Sequence, residues 1–422
     1  APLGGDSSCF DTSAFAENTM PRTRTKPVKT ISVGLPSGQQ STTTGVWSTG
    51  GPSVPFTVSM ETFEMIDTVT PGFRRKSAQG GIVNSPMSSV RWQFSADPGA
   101  TRVLNSAAKT RLFRPAVAFA RPLSEPQPSP VALLAQEVAT EAYTSARSRV
   151  ASPEAMGMVS WGERAETLNL LRKPVTTLVN RTESLEALIK KAKRLKASRP
   201  EIVSIISNWW LLYRYGIMPL ISEVEGVIKA FQAESGPRRE TARGSASALH
   251  AISGARAPVS PGWGLTETET WEEVWDISSR AGCLYAYEST LTTRLGLDAG
   301  NIPRSAYDLV TLSFVLDWFV NVGDYLGALT ADLRGDILAS WITTDVTCTR
   351  VARCQTTFAN PSGYSYSAEA LGVGYCSTTT VWRSRVPAGI GQIGVVPRVR
   401  MNTKRYADAF ALIYTRLSGR VK

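Results

Sequence analysis

Residue texture changes along this chain in long blocks, and those blocks constrain the fold class before any motif is sought. From Ile31 to Ala120 the chain is rich in Thr, Ser, Val and Gly, with period-two stretches such as Phe56, Val58 and Met60. Such alternation marks strands with one face covered. From Val131 to Ala233, Ala, Leu, Glu and Lys recur at helical spacing, interrupted at Pro153, Pro174 and Pro200, each of which ends or kinks a helix. Strand signals return between Gly236 and Gly300, with Cys283, Tyr285 and Tyr287 on one face, after a Gly/Ala/Ser-rich stretch that reads as loop. Asn301 and Pro303 open a helix expected to run to about Thr330. Residues 342–401 are strand-like again, and the tail sets Phe410, Ile413, Tyr414 and Leu417 on one helical face. Segregated runs of this kind predict an α+β protein with an antiparallel sheet region and a helical region, not a doubly wound parallel sheet.

The expected organisation follows the blocks. Residues 1–30 read as a flexible N-terminal tail, basic through its Pro21–Lys29 cluster. Residues 31–125, 236–300 and 336–402 form three parts of a β region. Residues 126–235 and 301–335 form two parts of an α region, and residues 403–422 add its C-terminal helix. Pro122, Pro126, Pro128 and Pro130 mark the first connector.

Chemistry is sparse. The single histidine, His250, excludes a multi-histidine metal centre, and its surroundings, Ala246-Ser-Ala-Leu-His-Ala251, hold no nucleophile elbow. Five cysteines (Cys9, Cys283, Cys348, Cys354, Cys376) form no CxxC pair and read as free thiols, the sheet ones as small buried hydrophobes. Neither a Walker A loop nor a GxGxxG after a strand is present. Asp317 and Asp324, seven residues apart, would share one face of a continuous helix with α-carbons about 10 Å apart. No further carboxylate or histidine completes a site there, so they are expected to hydrogen-bond neighbouring helices. The expectation is therefore a non-enzyme, with no catalytic residue, metal or cofactor. No stretch reads as a signal peptide. The longest apolar run, Ile202–Ile221, is broken by Asn208 and Arg214, so no membrane span is expected.

Charge is where the sequence speaks. The chain carries 46 Lys and Arg against 35 Asp and Glu, a net +11, which favours a polyanionic partner. Between Arg172 and Arg199 stand Arg172, Lys173, Arg181, Lys190, Lys191, Lys193, Arg194, Lys196 and Arg199 against Glu183 and Glu186 alone, a net +7. On a helix, Leu185, Leu188, Ile189, Ala192 and Leu195 share one face while Lys190, Lys191, Lys193 and Arg194 fan across the other. Four cations in five residues repel one another unless an anion is near. RNA phosphates fit that requirement, whereas a membrane role lacks Trp or Phe anchors on the apolar face. The next helix, Ile202–Phe231, is apolar nearly all round and reads as buried and central. Its Trp209, Trp210, Tyr213 and Tyr215 suit either a core or base stacking.

Two blocks carry a resemblance: Asn208-Trp-Trp-Leu-Leu-Tyr-Arg-Tyr-Gly-Ile-Met-Pro-Leu220 and Ser313-Phe-Val-Leu-Asp-Trp-Phe-Val-Asn-Val-Gly-Asp-Tyr-Leu326. They resemble the maturation proteins of the single-stranded RNA bacteriophages, the leviviruses. Tyr406–Leu417 is similar to that family's final helix. Thr311-Leu312 departs from it where a proline is expected. The resemblance covers about a tenth of the chain. It implies an elongated molecule with a helical bundle and a β region, present as one copy per virion in place of a coat-protein dimer. The helical region would grip genomic RNA near its 3′ end, and the β region would attach the particle to a host pilus, RNA and protein entering together. Synthesis would take place in the bacterial cytoplasm. Arg383, Arg385, Arg398 and Arg400, at strand spacing, would add RNA, coat-protein or pilus contacts. A nuclease, or a lysis role by inhibition of a wall-synthesis enzyme, stands as the alternative.

Overall fold

The computed structural model describes residues 20–153, 190, 199–310, 313–397 and 402–420. Ten strands are present: β1 (Met20–Ser41), β2 (Trp47–Val69), β3 (Met87–Asp97), β4 (Gly99–Asn105), β5 (Thr110–Ala116), β6 (Gly236–Gly262), β7 (Leu265–Ser289), β8 (Asp336–Phe358), β9 (Tyr366–Ala370) and β10 (Val373–Pro387). They form one sheet in the order β6-β7-β8-β10-β3-β2-β1-β5-β4-β9. The pairs β1–β2, β2–β3, β3–β10 and β10–β8 are antiparallel, as are β1–β5, β4–β5 and β4–β9. Helices and a large antiparallel sheet together make this an α+β protein, as the segregated texture predicts.

Turn chemistry explains the hairpins. Trp263 and Gly264 join β6 to β7 with φ of 56° and 71°, the doubly positive pair that a two-residue type I′ turn needs. Asn105 Oδ1 accepts from Ala108 N at 3.0 Å and so closes the β4–β5 connection.

The chain divides into two compact units. The described part of the first comprises residues 20–139, 246–280 and 341–387. Its core forms where the first part of helix α2 (Ser129–Ser148; α1 is Phe73–Ala78) covers the sheet. Val131 and Val138 meet Ala248, Trp275, Ile277, Val346 and Cys348 there. A smaller cluster joins Ala118, Ala352, Cys354 and Cys376. Strand geometry dictates this: along β7 the odd residues 273, 275, 277 and 279 are buried, while 272, 274 and 276 are exposed.

The described part of the second unit comprises residues 140–153, 190, 199–245, 281–310, 313–340, 388–397 and 402–420. It holds the rest of α2 with α3 (Arg199–Leu212), a π-helical turn (Tyr213–Ile217) and α4 (Met218–Gln232). Short helices follow: α5 (Leu291–Arg294), α6 (Ile302–Asp308), α7 (Ser313–Leu316), α8 (Val322–Leu329), then α9 (Thr403–Arg420). No described helix is long and apolar enough to cross a membrane.

Several expectations are corrected. Residues 20–30, assigned to a flexible tail, are strand: β1 pairs with β2 from Met20↔Val69 onward. Thr and Val at alternate places make that segment a good strand despite its charge. The Gly/Ala/Ser-rich stretch read as loop is β6. Small residues there allow close approach: a Cβ on Gly244 would stand 2.2 Å from the Ala142 carbonyl oxygen of α2. The continuous helix expected from Asn301 to Thr330 is three short ones, and the single helix Ile202–Phe231 is broken by the π-turn. Nor is that segment buried throughout, since Met218, Ile221, Val224, Ile228 and Phe231 form an exposed stripe along α4.

Candidate nucleic-acid interface

Of the cations expected to meet RNA, Lys190 is helical and exposed, and Arg199 is the first residue of α3. Arg172, Lys173, Arg181, Lys191, Lys193, Arg194 and Lys196 lie outside the described residues, as do Thr311, Leu312, Arg398 and Arg400. What the structure does describe is the ground next to them, where α3 runs into the π-turn.

A π-turn inserts one residue into the helical register and swings the following side chains round the axis. Here it carries Tyr213, Arg214 and Tyr215. Arg214 Nε donates to Asp408 Oδ2 of α9 at 2.7 Å, and Tyr215 OH donates to the same oxygen at 2.8 Å. Trp210 Nε1, one turn earlier, donates to Asp408 Oδ1 at 2.8 Å. Asp408 has no exposed surface, so three donors replace the water it has lost. Its hydrogen bond raises the Arg214 pKa, and burial followed by the bond to Asp408 pushes the Tyr215 hydroxyl up to about 12. The carboxylate is thus held as a fastener between α3 and α9.

The outward side of this junction is aromatic. Trp209 and Tyr213 stack with ring centroids 5.3 Å apart and planes 1° apart. Tyr213, Tyr215, Tyr406, Phe410 and Ile413 are exposed, and Phe410 stacks on Tyr414 at 6.0 Å. The helical face read from the tail, through Phe410 and Ile413, therefore points outward while Asp408 and Ala411 form the buried side of α9. A surface of exposed rings is suited to stacking unpaired bases.

The second block is built for structure. Asp317 lies in the turn after α7, not on one helix with Asp324, and its Oδ1 accepts from Tyr307 OH at 3.1 Å and from Gly323 N at 3.2 Å, at the start of α8. Desolvation, then Asp317, raises the Tyr307 hydroxyl to about 12. Asp324 Oδ1 accepts from Ser148 Oγ at 3.2 Å. Asn321 is buried, accepting from Val396 N at 2.7 Å and donating to Gly394 O at 3.2 Å. Among the described residues no group of three or more His, Cys, Asp or Glu is placed to hold a metal.

The remaining candidates are dispersed. His250 is half-buried in β6. Cys283, Cys348, Cys354 and Cys376 are buried free thiols, and burial raises Cys283 to about 11 and Cys348 to about 12, far from the thiolate form that reacts. Arg383 is engaged bidentately with Asp345 at 2.6 and 3.0 Å, and Arg385 lies 5.2 Å over the Trp341 ring. Sequence reasoning missed Asp408. The signal was available: one carboxylate at the centre of an otherwise small-residue face, Asp408, Ala411 and Thr415. No protein family matches the chain as a profile, and no curated protein matches its sequence.

Proposed function

We propose that this protein is a maturation protein of a single-stranded RNA bacteriophage: a single-copy virion component that binds the genomic RNA, replaces a coat-protein dimer and attaches the particle to a host pilus. The observation that carries the reading is the meeting at Asp408. Trp210, Arg214 and Tyr215 belong to one of the two blocks that resemble that family, Asp408 belongs to the stretch similar to its final helix, and the four are hydrogen-bonded together. Residues matched 194 positions apart in sequence, from Arg214 to Asp408, thus form one unit of packing.

In this reading the helical segments form a bundle in an elongated molecule and face the RNA, with Lys190, Lys191, Lys193 and Arg194 supplying phosphate contacts. Exposed Tyr213 and Tyr215 add sequence-tolerant stacking, worth about 1–3 kcal/mol per base. The β region faces outward to the pilus.

Replacing Lys190, Lys191, Lys193 and Arg194 by Gln is expected to weaken binding of labelled phage RNA and to lower the salt slope by roughly 0.7 per lost phosphate contact. An unchanged slope moves the RNA site elsewhere. Divalent-metal-dependent cleavage of that RNA by the purified protein would replace the binding reading with a nuclease. A particle reconstruction without imposed symmetry tests the whole reading, since it shows which face meets RNA.

A further inference from the structure

One strand edge in the first unit is open, apolar and flanked by cations. β1 pairs along its whole length with β2, but on its other side β5 reaches only Gly38–Ser41. From Val28 to Leu35 the outer row of main-chain donors and acceptors has no partner strand among the described residues. Natural edges are blunted by proline, bulges and charge. Here Pro27 and Pro36 sit in register shifts at Lys26/Lys29 and Leu35/Ser37, closing the edge at both ends. Between them there is no proline, the register shift at Ile31/Ser32 puts its extra residue on β2 and not on the open edge, and Val28, Ile31 and Val33 are exposed, at 58%, 61% and 39%. β2, by contrast, carries Pro52 and Pro55 on the stretch that β3 does not cover.

Two further observations say what fits. At the Leu35 end opens a cavity of about 210 Å³ lined by Leu35, Pro36, Ala100, Phe113, Pro115 and Ala370. A cavity of about 150 Å³ accepts a benzene ring. At the other end stand cations: β1 holds Arg22, Arg24, Lys26 and Lys29 and no carboxylate. Arg22 and Arg24 are occupied by Asp67, whereas Lys26 lies 5.1 Å over the Phe63 ring and neither Lys26 nor Lys29 is in an ion pair among the described residues.

We propose that the edge of β1 between Val28 and Leu35 binds an extended acidic segment of a partner protein as an added strand, with carboxylates facing Lys26 and Lys29 and one large apolar side chain seated in the cavity beside Leu35. Main-chain hydrogen bonds supply the affinity of such strand addition, and the charge and the cavity supply its direction and selectivity. The inference rests on β1 and its neighbours alone, not on the phage reading.

The test uses two fluorescein-labelled octapeptides, Phe-Val-Thr-Val-Thr-Glu-Val-Glu and the reverse sequence, one for each strand direction. Saturable anisotropy binding to the full chain is expected for one of them, weakening as salt rises. N-methylation of alternate amides on one edge of that peptide is expected to abolish binding while leaving charge and apolarity intact. Ala100→Trp, which fills the cavity from an exposed position, is expected to weaken it about tenfold, as is Lys26→Glu with Lys29→Glu. An unchanged thermal transition would show each variant folded, and the N-methyl comparison needs no variant. Equal binding of the peptides N-methylated on either edge would overturn the proposal. So would absence of binding, whether the edge is then closed by a second copy, seen as a concentration-dependent dimer in sedimentation, or by the chain itself, seen as binding gained when residues 1–19 are removed.

Discussion

In the first unit buried Arg121 and half-buried Arg350 answer to carboxylates, whereas in the second buried Arg294 and Arg334 answer to main-chain carbonyls. Arg121 Nη1 and Arg350 Nη1 reach Glu273 Oε1 at 2.8 and 3.3 Å, Arg350 also meets Glu269 at 3.5 Å, and Trp275 Nε1 closes on Glu273 Oε2 at 3.1 Å. Each guanidinium also lies over an indole ring, Arg121 over Trp275 and Arg350 over Trp271. In the second unit Arg294 Nη1 donates to the carbonyls of Ala230 and Ala233 at the end of α4. Arg334 Nη2 donates to Ser148 O at 3.0 Å and Gly327 O at 2.6 Å, while Arg147, which also pairs with Asp332, donates through Nε to Ala328 O at 2.9 Å. The difference follows from secondary structure. A sheet spends its carbonyls on its ladder, so a cation buried against it must find side-chain acids. A set of short helices leaves up to four carbonyls orphaned at each C-terminus, and arginine serves them.

The comparison can be broken by substitution. Glu273→Ala is expected to have the largest effect, a loss of about 3–5 kcal/mol in chemical denaturation, because it takes the nearest carboxylate from buried Arg121 and one of two from Arg350. Replacing the group together (Arg121→Met, Glu269→Gln, Glu273→Leu, Arg350→Met) should recover most of that loss, since well-packed apolar residues substitute for a buried ion network. Failure to recover would mean the network also fixes strand register. Arg294→Met should cost about 1–3 kcal/mol by leaving two carbonyls unpaired, and no second side-chain replacement near it should restore stability, because the acceptors are main chain. A rescue there would erase the distinction between the units.

The smallest effect sharpens the picture at Asp408. Tyr215→Phe removes one of three donors and is expected to cost about 0.5–1.5 kcal/mol. The Tyr215 hydroxyl is raised from 10 to about 12, so the stability it contributes is fully present below pH 10 and is lost as pH rises through about 12. Denaturation of the Tyr215→Phe protein should accordingly fall less steeply between pH 10 and 12 than that of the parent. Identical slopes would show that the hydroxyl does not report on the junction.

Local texture made much of this legible. β8 begins at Asp336 and α9 at Thr403, next to the places where composition changes. The Tyr285–Tyr287 pair on one face is present, with ring centroids 5.5 Å apart. What the chain hides is set by partners far away in sequence. Arg121 and Glu273 are 152 residues apart, and each alone reads as a surface charge. β10 inserts between β8 and β3, an order that no local signal carries. The helix after Asn301 breaks because Asp317 turns to serve the amide of Gly323, a bond that periodicity does not register. At the candidate interface the charge run was visible, while the buried side of α9 was not, because Asp408 finds its donors nearly two hundred residues back.

That separation also has a consequence in time. A ribosome delivers Trp210, Arg214 and Tyr215 long before Asp408, so the junction between α3 and α9 cannot close until nearly two hundred further residues have been made. A chain released before Asp408 would leave all three donors waiting on nothing.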